Sequence, residues 1–232
     1  MIDTITNKII LSWHKNYCEN VCRIPSLNNI IENNDTESVA QFLVKDLYFQ
    51  EYNLYVNPTI LDHTPEYVGQ ILFHEFTHIA DAEKFHDYSF SDFKDIMFIF
   101  SEIHASEIQM DKMLTTQDKK PYSLNQDVIF NGILSLKSFM DQSALHVKDQ
   151  FLQKENVRVC DIREVYYYCG YLKSLQKHNI TYQYSFKELD EEIRNVISLV
   201  IDQSGKDIND YLRLLKIHNL LKAYEKLYAY KR

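Results

Sequence analysis

Two histidines and a glutamate fall at a spacing that metal chemistry uses. In Ile71-Leu72-Phe73-His74-Glu75-Phe76-Thr77-His78-Ile79-Ala80, His74 and His78 are four residues apart. On a helix both imidazoles then leave one face, about 6 Å apart along the axis at ~1.5 Å per residue. Two nitrogens so placed can converge on one zinc ion at about 2.0–2.1 Å each. Glu75 lies beside the first ligand rather than in line with it, where it can reach water on the metal without binding the ion. Zinc lowers the pKa of such a water to about 7, and a neighbouring carboxylate can accept its proton. The pattern is H-E-x-x-H. The competing reading is two helix histidines satisfied by local hydrogen bonds. The flanks favour the metal, because residues 71–73, 76, 77, 79 and 80 are all uncharged, as a helix buried under a cleft requires.

A catalytic zinc site needs a third protein ligand and one open position. The stretch Phe100-Ser101-Glu102-Ile103-His104-Ala105-Ser106-Glu107-Ile108-Gln109-Met110-Asp111 offers two glutamates. They are five positions apart, about 140° around a helix, so one ion cannot easily take both. Glu102 has the small residues Ala105 and Ser106 one turn along, which would let two helices approach closely. Glu107 has Asp111 four residues on, placed to orient a ligand histidine. Glu102 is the first choice, Glu107 the second, and His104 a distant third.

These side chains need a scaffold, and the pattern supplies helices. Apolar positions at helical spacing mark Thr6–Arg23, stopped by Pro25, and a polar loop runs from Asn28 to Glu37. A short helix is expected over Glu37–Lys45. Leu47–Gln50 and Tyr52–Asn57 read as a small hairpin around Glu51. Thr64 and Pro65 are a helix cap and first position, opening a helix that carries the motif to about Phe85. A further helix is expected over Ser91–Leu114, then a linker over Thr115–Tyr122. Beyond it lie five amphipathic helices, about Gln126–Asp141, Ser143–Lys154, Asp161–Lys177, Ser185–Gln203 and Ile208–Tyr230. The fold class is therefore mainly α with a small β-hairpin or sheet, an α+β chain. Residues 1–115 hold the chemistry, and 116–232 form a helical region expected to pack on it.

Composition sets the limits. The 232 residues are 45% hydrophobic, enough for a packed core, and hold only four glycines and four prolines. An all-β sandwich or barrel would need more turn residues. The net charge of −8 and the scattered basic residues argue against nucleic acid as a partner. No apolar run approaches the length of a membrane span, and Met1–Lys15 lacks a signal-peptide pattern, so a cytoplasmic address is expected. Cys18, Cys22, Cys160 and Cys169 lack paired zinc-ligand spacing and read as buried free thiols.

The motif and its surroundings resemble the gluzincin metallopeptidases, and most nearly the small cytosolic ImmA/IrrE-type peptidases of bacteria and mobile elements. Besides His74-Glu75-Phe76-Thr77-His78, the likeness rests on Asn53-Leu54-Tyr55-Val56-Asn57-Pro58 before the helix and Glu102-Ile103-His104-Ala105 after it. It covers roughly residues 40–115. Two departures are Thr77, where those proteins commonly have glycine, and the absence of their Leu-Met-Pro ending. Glu107 and Asp111 instead echo the Glu-x-x-x-Asp of thermolysin-like enzymes. The resemblance implies a zincin-like core, with His74, His78 and Glu102 as zinc ligands and Glu75 as general base. It implies cleavage of a protein or peptide substrate, with a regulatory protein partner as a further possibility. Extended substrate would lie along a strand edge such as Tyr52–Asn57. A donor to the oxyanion is also needed. Tyr166, Tyr167, Tyr168, Tyr171, His146 and His178 are all candidates, and the sequence does not choose. The alternative to an enzyme is a zinc-binding regulatory protein on the same scaffold, without turnover.

Overall fold

The computed structural model describes residues 3–33, 39–46, 51–86, 97–116, 120–129, 134–152, 163–205, 215–220 and 222–223. Most of them are helical. Helix α1 (Thr4–Asn20) starts at Asp3, whose carboxylate accepts the backbone N–H groups of Ile5 and Thr6. It ends three residues before the expected Arg23, at a C-cap on Val21. Helix α2 (Pro65–Phe85) opens as its sequence requires, with Thr64 as cap and Pro65 in the first turn. A π-helical turn (Met97–Ser101) then runs into α3 (Glu102–Thr115).

The strands differ from expectation. β1 (Asn29–Glu32), β2 (Ala40–Asp46) and β3 (Glu51–Val56) form one sheet in the order β1-β3-β2. β3 runs antiparallel to β2, from Ala40↔Val56 to Asp46↔Glu51, and parallel to β1. Tyr52–Val56 is a strand as expected, but Glu51, the expected turn, is paired with Asp46 inside the sheet. The antiparallel partner is Ala40–Asp46, largely within the stretch expected to be a short helix; Leu47–Gln50 lies outside the described residues. Consecutive Phe42, Leu43 and Val44 lack the 3.6 period of a helix, and pairing with β3 overrides their weak local preference. Ile30 and Ile31 likewise form a strand where a loop was expected. β3 is therefore central and paired on both sides, so Tyr52–Asn57 offers no free edge to a substrate. Among the described residues the edges are β1 and β2, and α2 packs against β2.

Downstream, β4 (Asp127–Ile129) pairs with β5 (Leu134–Ser135) where the helix Gln126–Asp141 was expected. One helix, α4 (Leu136–Leu152), replaces the expected break near Gln142. α5 (Arg163–Lys177) and α6 (Glu191–Ser204) follow. Residues 215–220 and 222–223 are helical; the rest of the expected Ile208–Tyr230 helix lies outside the described residues, as do Ser91–Ile96 of the expected Ser91–Leu114 helix, whose remainder is the π turn and α3.

Helix contacts run α1 to α2 to α3 to α5, with α4 and α6 on α5. A single apolar cluster extends through them from Ile10 to Ile217. Two glycines set the closest approaches. Gly69 lies under the Trp13 ring, which a Cβ there would meet at 2.7 Å. Gly170 does the same for α5 against α3, beside Ser106, so the small residues following Glu102 do admit a second helix. Among the described residues, no helix is long and apolar enough to cross a membrane.

Candidate metal centre

The α2 face that carries His74 and His78 turns toward the start of α3, where Glu102 stands. Glu102 Oε2 lies 3.4 Å from His74 Nε2 and 3.5 Å from His78 Nε2. Among the described residues these three form the one group of His, Cys, Asp or Glu that could hold a metal ion. The distances carry information. A tetrahedron with metal–ligand bonds of about 2.1 Å has edges of about 3.4 Å. The same distances are too long for good hydrogen bonds, and Glu102 Oε2 and His74 Nδ1 are buried with no hydrogen-bond partner. An unpaired buried polar atom costs about 1–3 kcal/mol. A cation among the three ligand atoms would relieve Glu102, so the donor set fits a metal ion.

The other side of His78 is fully engaged. Its Nδ1 lies 2.7 Å from Ser101 Oγ, and Ser101 donates to Asp81 Oδ2 at 2.8 Å. Asp81 is three residues beyond His78 on α2 and is 1% exposed; Ser101 is 0% exposed. The second Asp81 oxygen accepts from His104 Nδ1 at 2.9 Å. His104 is thus an anchor for Asp81 and stands outside the triad.

Glu107 is turned away and pairs with Lys173 of α5 at 3.1 Å. Asp111, expected to orient a ligand histidine, instead accepts from Ser174, Lys177 and His178. It ties the end of α5 to α3. Glu75 is buried, at 9% exposure, on the residue after the first histidine. Of the tyrosines expected as donors, Tyr167 comes to the triad: its ring stands edge-on to His74, with centroids 5.7 Å apart.

The departure at Thr77 has a structural role. Thr77 is fully buried, donates to Phe73 O at 2.8 Å, and lies 3.1 Å from Tyr17 Oη. Tyr17 also packs edge-on against Phe73 and Phe76. Helix α1 thereby backs the helix that carries the motif. The thiols are only partly as expected. Cys169 is buried, and burial pushes it up to about 12. Cys18 is half-buried and Cys22, past the end of α1, is exposed; Cys160 lies outside the described residues.

Burial dominates the electrostatics. It drives His78 down to about 4 against the pull of Glu102, with His74 and His104 acting in the same direction as burial. Burial would lower His74 too, but Glu102 and Glu75 hold it above the ordinary imidazole value. Glu102 would be raised by burial, yet His78 and His74 keep its carboxyl below the usual range. Burial raises the Tyr167 hydroxyl well above an ordinary phenol, and the Glu102 charge adds to this while Arg163 opposes it.

Ser101 and Asp81 are the residues that sequence reasoning missed. Asp81 is one further turn along the motif helix, a position that could have flagged it. No family model, no curated protein and no solved structure matches this chain.

Proposed function

We propose that the chain is a zinc-dependent peptidase that hydrolyses peptide bonds of a protein or peptide substrate. The observation that carries this reading is the convergence of His74, His78 and Glu102, whose ligand atoms all lie within 4.8 Å of one another. Glu102 is 3.4 and 3.5 Å from the two imidazoles, and Glu75, the residue after His74, is buried. The resemblance to zincin-like peptidases supports it. A zinc ion held by the three ligands would polarise the scissile carbonyl and acidify water. Glu75 takes the proton from the attacking water and delivers it to the leaving nitrogen. Its burial raises the strength of that interaction by keeping bulk solvent away. Tyr167, packed on His74, is the nearest candidate to donate to the oxyanion. Substrate backbone would add to the outer edge of β2, the strand against which the motif helix packs.

The test is cleavage of a proteome-derived peptide library by wild type and Glu75→Gln, with zinc content measured in both. The reading expects cleavage by wild type and loss of about 10²–10⁴-fold in rate for the variant, at unchanged zinc content. Equal rates in the two proteins would remove Glu75 as the base. Zinc in both and cleavage by neither would replace the enzyme with a zinc-binding regulatory protein.

A further inference from the structure

With Asp81 ionised, the hydrogen-bond chain behind His78 has one arrangement of protons. Asp81 as a carboxylate can only accept. It therefore receives the single Ser101 hydroxyl proton at 2.8 Å and the His104 Nδ1–H at 2.9 Å. With its proton committed to Asp81, Ser101 can only accept from His78, 2.7 Å away. His78 must then carry its proton on Nδ1, which leaves the Nε2 lone pair facing Glu102 and His74.

We propose that Ser101 and Asp81 are positioning residues that lock His78 in the Nδ1–H tautomer before any metal arrives, with His104 anchoring Asp81 from outside. The proposal rests on the metal-site reading for its purpose, while its proton arrangement stands on the hydrogen bonds alone. The π-helical turn (Met97–Ser101) is what makes the device possible. It ends where two successive residues are needed, Ser101 for the back of His78 and Glu102 for its front. Such turns recur inside helices at functional sites. Orientation of a ligand imidazole through its second nitrogen is worth about 10–100-fold in metal affinity. Here the carboxylate acts through an intervening serine rather than by direct contact.

The experiment has two readouts. Two-bond ¹H–¹⁵N correlation spectra of the metal-free protein at neutral pH report which nitrogen of each histidine is protonated. His78 and His104 should both show Nδ1–H in wild type, and His78 should lose that single pattern in Ser101→Ala. Zinc titration of the same proteins should show affinity weakened about 10–100-fold by Ser101→Ala and recovered in part by Ser101→Thr, which restores the hydroxyl. An Nε2–H tautomer at His78 in wild type would overturn the proposal without any variant. So would unchanged zinc affinity in Ser101→Ala. A wild type that takes up no zinc but shows the expected tautomers would refute the metal reading while upholding the relay.

Discussion

Gly170 sits so close to Ile103 that a Cβ added to it would stand 2.3 Å from the Ile103 carbonyl oxygen. Ile103 follows Glu102, and Gly170 lies one turn beyond Tyr167. This contact therefore sets how near α5, with its tyrosine, comes to the triad.

Replacing Gly170 with alanine should lower stability. Alanine gains about 1 kcal/mol in helix propensity. Overpacking against a backbone that cannot yield costs about 1–3 kcal/mol and should win. Chemical denaturation checks the sign. Full wild-type stability in Gly170→Ala would mean that the two helices can separate freely.

The two glutamates of α3 should fail in different ways. Glu102→Ala should abolish tight zinc binding, and the metal-free fold should lose stability at mildly acidic pH, where His74 is charged and Glu102 is its partner. Glu107→Ala should keep zinc but cost about 1–3 kcal/mol, between the values for exposed and buried pairs, because Lys173 loses its partner. Zinc titration and thermal denaturation of both variants separate the outcomes. The opposite pattern would move the third ligand to Glu107.

Zinc uptake should release protons in a way that follows the two histidines. Metal ligands must be deprotonated to bind. His74 is held above its ordinary value, so it still carries a proton at mildly acidic pH that zinc must displace. Affinity should therefore begin to fall above the ordinary histidine value and keep falling as pH drops through it. His78 is already neutral down to about 4 and adds nothing until that point. Calorimetry in buffers of different ionisation enthalpy should find close to one proton released per zinc at mildly acidic pH. Release of two would show that His78 is also charged there.

Tyr167→Phe keeps the ring against His74 and removes only the hydroxyl. If that hydroxyl serves the oxyanion, kcat should fall by about 10²–10³-fold with zinc content and KM little changed. A rise in KM alone would make Tyr167 a substrate contact.

Much of the site could be read in the chain because it is local. His74, Glu75 and His78 lie on one continuous helix with a sequence-encoded start at Thr64 and Pro65, so periodicity alone placed them together. Glu102 was harder. A regular helix over Ser91–Leu114 left its face ambiguous, and the π turn before it shifts the register that such a reading assumes. Asp81 could have been flagged by its place one turn beyond His78, but Ser101 matters only through a hydrogen-bond chain spanning two helices, which no one-dimensional pattern displays. The sheet was misplaced for the same reason: Ala40–Asp46 becomes a strand through its partner β3, not through its own alternation. Tyr167 could not be told from Tyr166, Tyr168 or Tyr171 until Gly170 fixed how α5 lies on α3.

Metal content per chain tests the central claim most directly. Elemental analysis would compare wild type with His74→Ala, Glu102→Ala and Glu107→Ala after exposure to zinc and removal of excess. The account predicts near one zinc per chain in wild type and Glu107→Ala, and loss in His74→Ala and Glu102→Ala. Absence of metal from all four proteins, or full retention without His74 and Glu102, would contradict it.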